Sequence, residues 1–238
     1  MATRNLLYKK DYAINEYISV RIPSVGEILE REDEYYGLVS LLSAMPVDMM
    51  VQLDDAGIDF SNINEYELFL ILFGILKERD TSLVFGELDL RQFHPAVDKQ
   101  NGNIVLVSEK SDAKIDRAIH GRIADILREI NHIEKDTRQP ANSDAKEYML
   151  RRARDKMRRY GNRVTRSQLE ALIVAMVNTE QFHYGFDGVR TLSIYQFNES
   201  VQQIIKKVDY DNIMHGVYSG TVDVKKISQT DLNWLIHK

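Results

Sequence analysis

The alternation of apolar and polar positions predicts helices over most of the chain. The clearest case lies between residues 112 and 133, where apolar side chains recur every three or four positions. These side chains are Ile115, Ile119, Ile123, Ile126, Leu127, Ile130 and Ile133. Such spacing places one apolar stripe along one face of an α-helix. Similar patterns predict helices over residues 35–45, 63–77 and 193–208.

Capping residues mark where some of these helices begin. Ser24 and Glu27 have the spacing of a capping box, in which the two side chains satisfy each other's backbone amides. This box directly follows an alternating, strand-like pattern at residues 17–22. Ser61 and Asn62 precede the 63–77 pattern and are expected to cap that helix.

Between residues 80 and 108 the pattern changes to that of β-strands. Residues 83–85, 88–93 and 104–107 carry the β-branched and aromatic side chains that strands favour. Asn101 and Gly102 form the Asn-Gly pair typical of tight hairpin turns. The segment therefore predicts a small antiparallel sheet, with a hairpin near 96–108.

Together these elements predict a predominantly helical α+β fold. Residues 1–134 form a mixed N-terminal part that holds the small sheet, and residues 135–143 are the best candidate for a linker. The C-terminal part, 144–238, is expected to be helical and to begin with a basic helix over residues 144–160. Residues 168–178 are apolar nearly all round, which predicts a buried helix.

Composition limits the classes of protein that remain. The chain has 44% hydrophobic residues, enough for a substantial core, and a net charge of −5 that indicates no particular partner. It has no cysteine, which excludes disulfides and thiolate metal sites and suits a reducing cytosol. The first ten residues lack the apolar core of a secretion signal. The longest apolar stretch, 68–76, is much shorter than the roughly 20 residues of a membrane span, so no membrane association is expected.

The polar residues form no pattern typical of catalysis or metal binding. The six histidines show no His-x-x-x-His spacing, and no Gly-x-Ser-x-Gly motif occurs. The acidic run at Asp54, Asp55 and Asp59 lacks the alternation and the distal glutamate of a calcium loop. We therefore expect a protein that binds other macromolecules, without enzymatic activity, a metal site or a cofactor.

One segment has an unusual concentration of positive charge. Between Ala141 and Glu170 nine basic residues stand against four acidic ones, so the segment carries +5 and the remaining residues −10. The apolar stripe of the helix over 144–160 is thin and consists of Met149, Ala153, Met157 and Tyr160. Such a helix buries little and presents arginine over most of its circumference.

Three interpretations of the basic helix remain open. Its cations can pair with the acidic surface of the chain itself, dock on an acidic protein, or contact the phosphates of nucleic acid. The candidate partner-binding residues are Arg151, Arg152, Arg158 and Arg159, which we expect to be exposed. The negative charge of the whole chain argues against nucleic acid, which makes it the alternative rather than the first interpretation.

Two aromatic residues near the C-terminus are further candidates. Tyr218 and Trp234 lie in a short region punctuated by Gly216 and Gly220. One interpretation is that these large side chains close the bottom of the core. The other is that they stay partly exposed and anchor a neighbouring subunit, because tyrosine and tryptophan are enriched at interface hot spots.

The C-terminal region also resembles a known group of proteins. The resemblance lies in Ser193–Val201 (SIYQFNESV), in His215–Asp223 (HGVYSGTVD) and in Lys225-Lys226-Ile227. These segments resemble the C-terminal region of uncharacterised proteins encoded among the tail and virion morphogenesis genes of tailed phages that infect Gram-positive bacteria.

This resemblance implies a virion component or a tail-assembly factor made in the host cytoplasm. Its expected partners are other phage structural or assembly proteins, including further copies of the chain. The alternative is a nucleic-acid-binding or host-directed regulatory protein that uses the arginine-rich helix. The resemblance implies no catalytic residues.

Overall fold

Within the residues that the computed structural model describes, the chain forms ten α-helices and two small antiparallel sheets. The described residues are 5–99, 102–160, 167–223, 225, 227–228 and 232–235. This architecture confirms the predicted α+β class with a predominance of helix.

The elements follow one another in a mixed N-terminal half and a helical C-terminal half. The strands are β1 (Asp11–Ala13), β2 (Ser19–Arg21), β3 (Phe93–Val97), β4 (Ile104–Ser108) and β5 (Lys114–Ile115). The helices before β3 are α1 (Val25–Glu30), α2 (Glu32–Leu42), α3 (Met50–Asp55), α4 (Glu65–Leu76) and α5 (Ser82–Phe85). The helices after β5 are α6 (Arg117–Asn131), α7 (Ser143–Tyr160), α8 (Gln168–Val177), α9 (Phe186–Thr191) and α10 (Ile194–Tyr218).

The larger sheet has the order β3-β4-β5, and both of its strand pairs are antiparallel. Val97 lies opposite Ile104, which confirms a hairpin at the predicted place. Gly102 has a positive φ of 72°, a conformation that glycine adopts without steric cost. Gln100 and Asn101, the rest of the predicted turn, lie outside the described residues.

Two of the predicted strands are wrong. Residues 83–85 form the short helix α5, and residues 90–92 form a 3₁₀ turn that precedes β3. Leu83, Val84 and Phe85 are all buried in the core, at most 5% exposed. A short apolar run buried on every side has no polar face, so its periodicity cannot distinguish a strand from a helical turn.

Two capping boxes begin helices of the N-terminal half. Ser24 and Glu27 form the predicted box at the start of α1. At α4 the prediction of Ser61 and Asn62 as caps is wrong, because Asn64 and Glu67 form the box there. Ser61 instead donates its backbone amide and its hydroxyl to Asp59, which stabilises the preceding turn.

Helix α6 lies at the centre of the core. Ile123, Ile126, Leu127 and Ile130 are at most 1% exposed, and the helix packs against α2, α4 and α10. The middle of the predicted isoleucine stripe is therefore the face that α6 buries. Its two ends were wrong, because Ile115 lies in β5 and Ile133, beyond the end of the helix, is 40% exposed. The helix ends at His132, whose φ of 53° is left-handed, so the following residues leave the helical path.

Residues from both predicted parts share one hydrophobic core. The two parts meet where the amide of Val25 donates to the carbonyl of Leu192 at 2.9 Å and the amide of Ile194 donates to that of Pro23 at 2.9 Å. Here α1 packs on α9 so closely that a Cβ at Gly26 would lie 3.0 Å from the backbone oxygen of Arg190. Residues 135–142 contain neither helix nor strand, and the division into two domains there stays a prediction.

The last three helices depart from expectation in burial and length. On α8, Ile173 is buried but Val174 is 47% exposed, so the expectation of burial on all sides is wrong. Helix α10 begins where the pattern predicts, with a capping box formed by Ser193 and Gln196, but it continues to Tyr218 rather than ending near residue 208.

Candidate docking surface on the arginine-rich helix

The inner side of α7 holds the helix against the body of the protein. Leu150 is buried, at 8% exposed, where α7 packs on α3. Arg154 donates to Asp54 at 2.7 Å and to Asp55 at 2.5 Å, directly at the end of α3. These contacts fix the position of α7 along one side only.

A second ion pair lies about two turns nearer the start of α7. The ammonium of Lys146 is 2.7 Å from the carboxylate of Asp59 and 5.9 Å from the centre of the Phe60 ring. The hydrogen bond from Lys146, followed by those from Ser61, lowers the pKa of Asp59 to about 2. Part of the positive charge of α7 is thus paired with the chain's own acidic surface, as the first of the three interpretations expects.

The outer side of α7 is different, because Arg151, Arg152, Arg158 and Arg159 are all exposed. The guanidinium carbons of Arg151 and Arg152 lie 5.7 and 5.8 Å from the centre of the Tyr148 ring, within the range of cation–π contacts. Exposure is required for a binding role, but that role itself stays a prediction.

A groove of about 1060 Å³ opens between α3, α7 and the segment at residues 136–138. Its lining combines an apolar floor with a cationic rim. The floor residues are Val47, Met50, Val51, Met149, Ala153 and Met157, and the rim on α7 consists of Arg152, Lys156 and Arg159 with one carboxylate, that of Asp155. Met157 is 50% exposed, so the floor reaches the surface at the C-terminal end of α7.

The groove divides the four candidate arginines into two pairs. Arg152 and Arg159 line it, whereas Arg151 and Arg158 do not. Arg158 lies 3.8 Å from Asp155, its neighbour on the same helix. The sequence showed the thin stripe of Met149 and Met157, but not that α3 adds Met50 to it, because that contact joins segments about a hundred residues apart.

The structure does not bring Tyr218 and Trp234 together. Tyr218 is the last residue of α10 and is 80% exposed. Trp234 is half-buried against the same helix, where its carbonyl accepts from Gln203 at 2.9 Å and Lys207 lies 5.5 Å from its ring. Lys207 and Tyr218 are about three turns apart, or roughly 16 Å at the rise of an α-helix. The two aromatic residues therefore lie at different places along α10, and their role as anchors for a neighbouring subunit stays a prediction.

The described residues contain neither a metal-binding cluster nor a membrane-spanning helix. No group of three or more His, Asp or Glu side chains that could hold a metal ion occurs among the described residues. None of the described helices is long and apolar enough to cross a membrane.

Comparison with known proteins shows a similarity in the C-terminal part of the chain. A family model described as the YomV second domain matches residues 162–237, about a third of the chain. No curated protein and no solved structure matches. The family match suggests a phage-type protein, which agrees with the phage origin that the resemblance implies. The matched segment contains α8, α9 and α10, whereas α7 and its groove lie outside it.

Proposed function

We propose that the chain is a non-enzymatic phage virion or tail-assembly protein that acts by docking on other proteins. It is made in the host cytoplasm and enters the particle if its partners remain there. The observation that carries the proposal is the groove beside α7, whose methionine floor and cationic rim face outward. Exposed apolar surface rimmed by charge is typical of a protein-binding site.

The family match adds the biological setting. It suggests a phage-type protein, and the proteins that the C-terminal region resembles are encoded among tail and virion genes. A phage-encoded binding protein in that setting has other phage structural or assembly proteins as its first partners, and additional copies of itself as the second.

Loss of the gene from its phage or prophage tests this role. We expect lysates without the protein to contain normal amounts of phage DNA but incomplete particles in electron micrographs, and a plasmid copy to restore whole particles. Normal particles combined with defective DNA synthesis or host shut-off would contradict the proposal and favour a regulatory role.

One observation favours nucleic acid as a second candidate partner. Tyr148 is 50% exposed, and the cations of Arg151 and Arg152 lie beside its ring. Single-stranded nucleic acid binds to such combinations of an aromatic ring with arginine. This candidate predicts binding to an oligonucleotide that weakens steeply with salt and is reduced by Tyr148→Ala. Fluorescence anisotropy with labelled oligothymidylate measures both effects.

A further inference from the structure

We propose that the groove between α3 and α7 binds an acidic amphipathic helix of a partner protein. The inference rests on the proposed docking function and specifies the chemistry of the segment that the groove accepts.

The floor of the groove favours an apolar helix face. Met50, Met149 and Met157 all contribute to it, and they come from two different helices. Methionine is flexible and polarisable, so a floor built from it can adapt to the leucine and phenylalanine anchors of a bound helix. Helices that bind in grooves insert such anchors at spacings of three, four and seven residues.

The rim favours negative charge on the same partner. Arg152, Lys156 and Arg159 follow one another at intervals of four and three residues, which places them along one side of α7. Within the described residues no ion pair to any of these three side chains is formed, although Arg152 contacts the hydroxyl of Tyr148 at 3.4 Å.

The carboxylates of the groove do not outnumber its cations. The charged residues of the lining are Asp48, Asp136 and Asp155 against Arg138, Arg152, Lys156 and Arg159, so the lining carries a net charge of +1. Asp136 is paired with Arg138 at 2.5 Å, and Asp155 lies 3.8 Å from Arg158, which is outside the groove. Arg152, Lys156 and Arg159 are therefore left to attract a partner, and carboxylates flanking an apolar stripe would complement them.

The combination of floor and rim favours protein over nucleic acid. A phosphate backbone would meet the cations but would gain nothing from the methionine floor. It would also use the exposed cations of α7 together, whereas a helix lying in the groove would use Arg152 and Arg159 and leave Arg151 and Arg158 outside.

Binding to designed probes tests the proposal directly. The main probe is a labelled peptide of about 18 residues with leucines along one helical face and glutamates elsewhere. Its controls are a peptide of the same composition with scattered leucines, a peptide with lysine in place of glutamate, and single-stranded oligothymidylate. We expect anisotropy titrations to show the main probe binding at least about tenfold more tightly than each control, and more weakly as salt is raised.

Matched charge reversals on the same helix locate the site. We expect Arg152→Glu with Arg159→Glu to weaken peptide binding by about 30-fold or more. The control, Arg151→Glu with Arg158→Glu, makes the same change in net charge outside the groove and should weaken binding no more than about threefold. Met157→Ser, which leaves the charge unchanged, should weaken it by about tenfold, since it removes part of the apolar floor. Circular dichroism melts establish that each variant is folded.

Several outcomes would overturn the proposal. Equal losses for the two arginine pairs would show diffuse attraction rather than a groove, and tighter binding of oligothymidylate would assign the surface to nucleic acid. A further contradicting result, from light scattering, is a dimer of the wild type that the double variant Arg152→Glu, Arg159→Glu does not form. That result would show that a second copy of the chain occupies the groove. Failure of the main probe to bind would also refute the proposal.

These results are separable from those on the proposed function. Peptide binding as predicted, together with normal particles in the gene-deletion experiment, would leave the groove standing and refute the assembly role. Incomplete particles without peptide binding would support the assembly role and assign its docking to another surface.

Discussion

A buried histidine makes the stability of this protein depend on pH in a calculable way. His120 on α6 is 2% exposed, and its ring is stacked on Phe69 with 4.2 Å between the ring centres. Burial lowers its pKa from 6.5 to about 4, opposed by the Glu65 carboxylate and aided by the charge of Arg128. Among the described residues neither ring nitrogen has a hydrogen-bond partner. The folded protein thus keeps this ring neutral at pH values where the unfolded chain protonates it.

The sign and size of the effect follow from this difference in pKa. As pH falls through 6.5 the unfolded chain takes up a proton that the folded state refuses until about pH 4, so the free energy of unfolding falls over that window. At about 1.4 kcal/mol per pH unit, the loss between pH 7 and pH 4 amounts to about 3 kcal/mol. Above pH 6.5 the contribution is fully present.

Replacement of the ring isolates this contribution. His120→Phe keeps a planar ring beside Phe69 but cannot titrate, so its free energy of unfolding should fall by about 3 kcal/mol less than that of the wild type between pH 7 and pH 4. Urea titrations followed by circular dichroism at pH 4, 5, 6 and 7 measure both profiles. The difference between the two profiles isolates the contribution of His120, since the carboxylates that titrate in this range contribute equally to both proteins.

Val174→Ala provides the control. This exposed position on α8 carries no titratable group, so the profile of the variant should run parallel to that of the wild type. Parallel profiles for His120→Phe and the wild type would refute the reasoning, because they would show that the unfolded and folded chains protonate His120 alike.

Three further predictions concern the packing and the ends of helices, each measured by urea unfolding. Ile173→Ala should cost about 2–5 kcal/mol because the side chain is 6% exposed, whereas Val174→Ala, 47% exposed on the same helix, should change stability by less than about 1 kcal/mol; equal costs would contradict the burial of one face of α8. Ser193→Ala should cost about 0.5–2 kcal/mol, since its side chain accepts the Gln196 amide at the start of α10, and an unchanged midpoint would show that the cap contributes nothing. Arg128→Ala should cost about 2–4 kcal/mol, because it leaves the Ser43 carbonyl without its donor and the partly buried Glu65 carboxylate with Lys135 alone. Arg122→Ala on the exposed side of α6 should cost less than about 0.5 kcal/mol, and similar costs for the two would argue against the buried network.

The sequence by itself determined the elements whose causes are local. These elements are the isoleucine stripe of α6, the capping box at Ser24 and the concentration of arginine on α7, and all depend on residues within a few turns of one another. Periodicity and capping act over such distances, so these features could be predicted from the sequence without knowledge of the tertiary structure.

Only the tertiary structure decided which side chains meet across the chain. The apolar pattern of residues 83–85 fits a strand and a helix equally well, and in the packed core they form the helix α5. On α8 only one face packs on the rest of the protein, so Val174 stays exposed. The basic helix shows the same limit in function. Arg154 is held by Asp54 and Asp55, while Arg152 and Arg159 line a groove whose floor includes Met50. All of these residues are visible in the sequence, but the distance between two segments about a hundred residues apart is a property of the packed core, which no local pattern encodes.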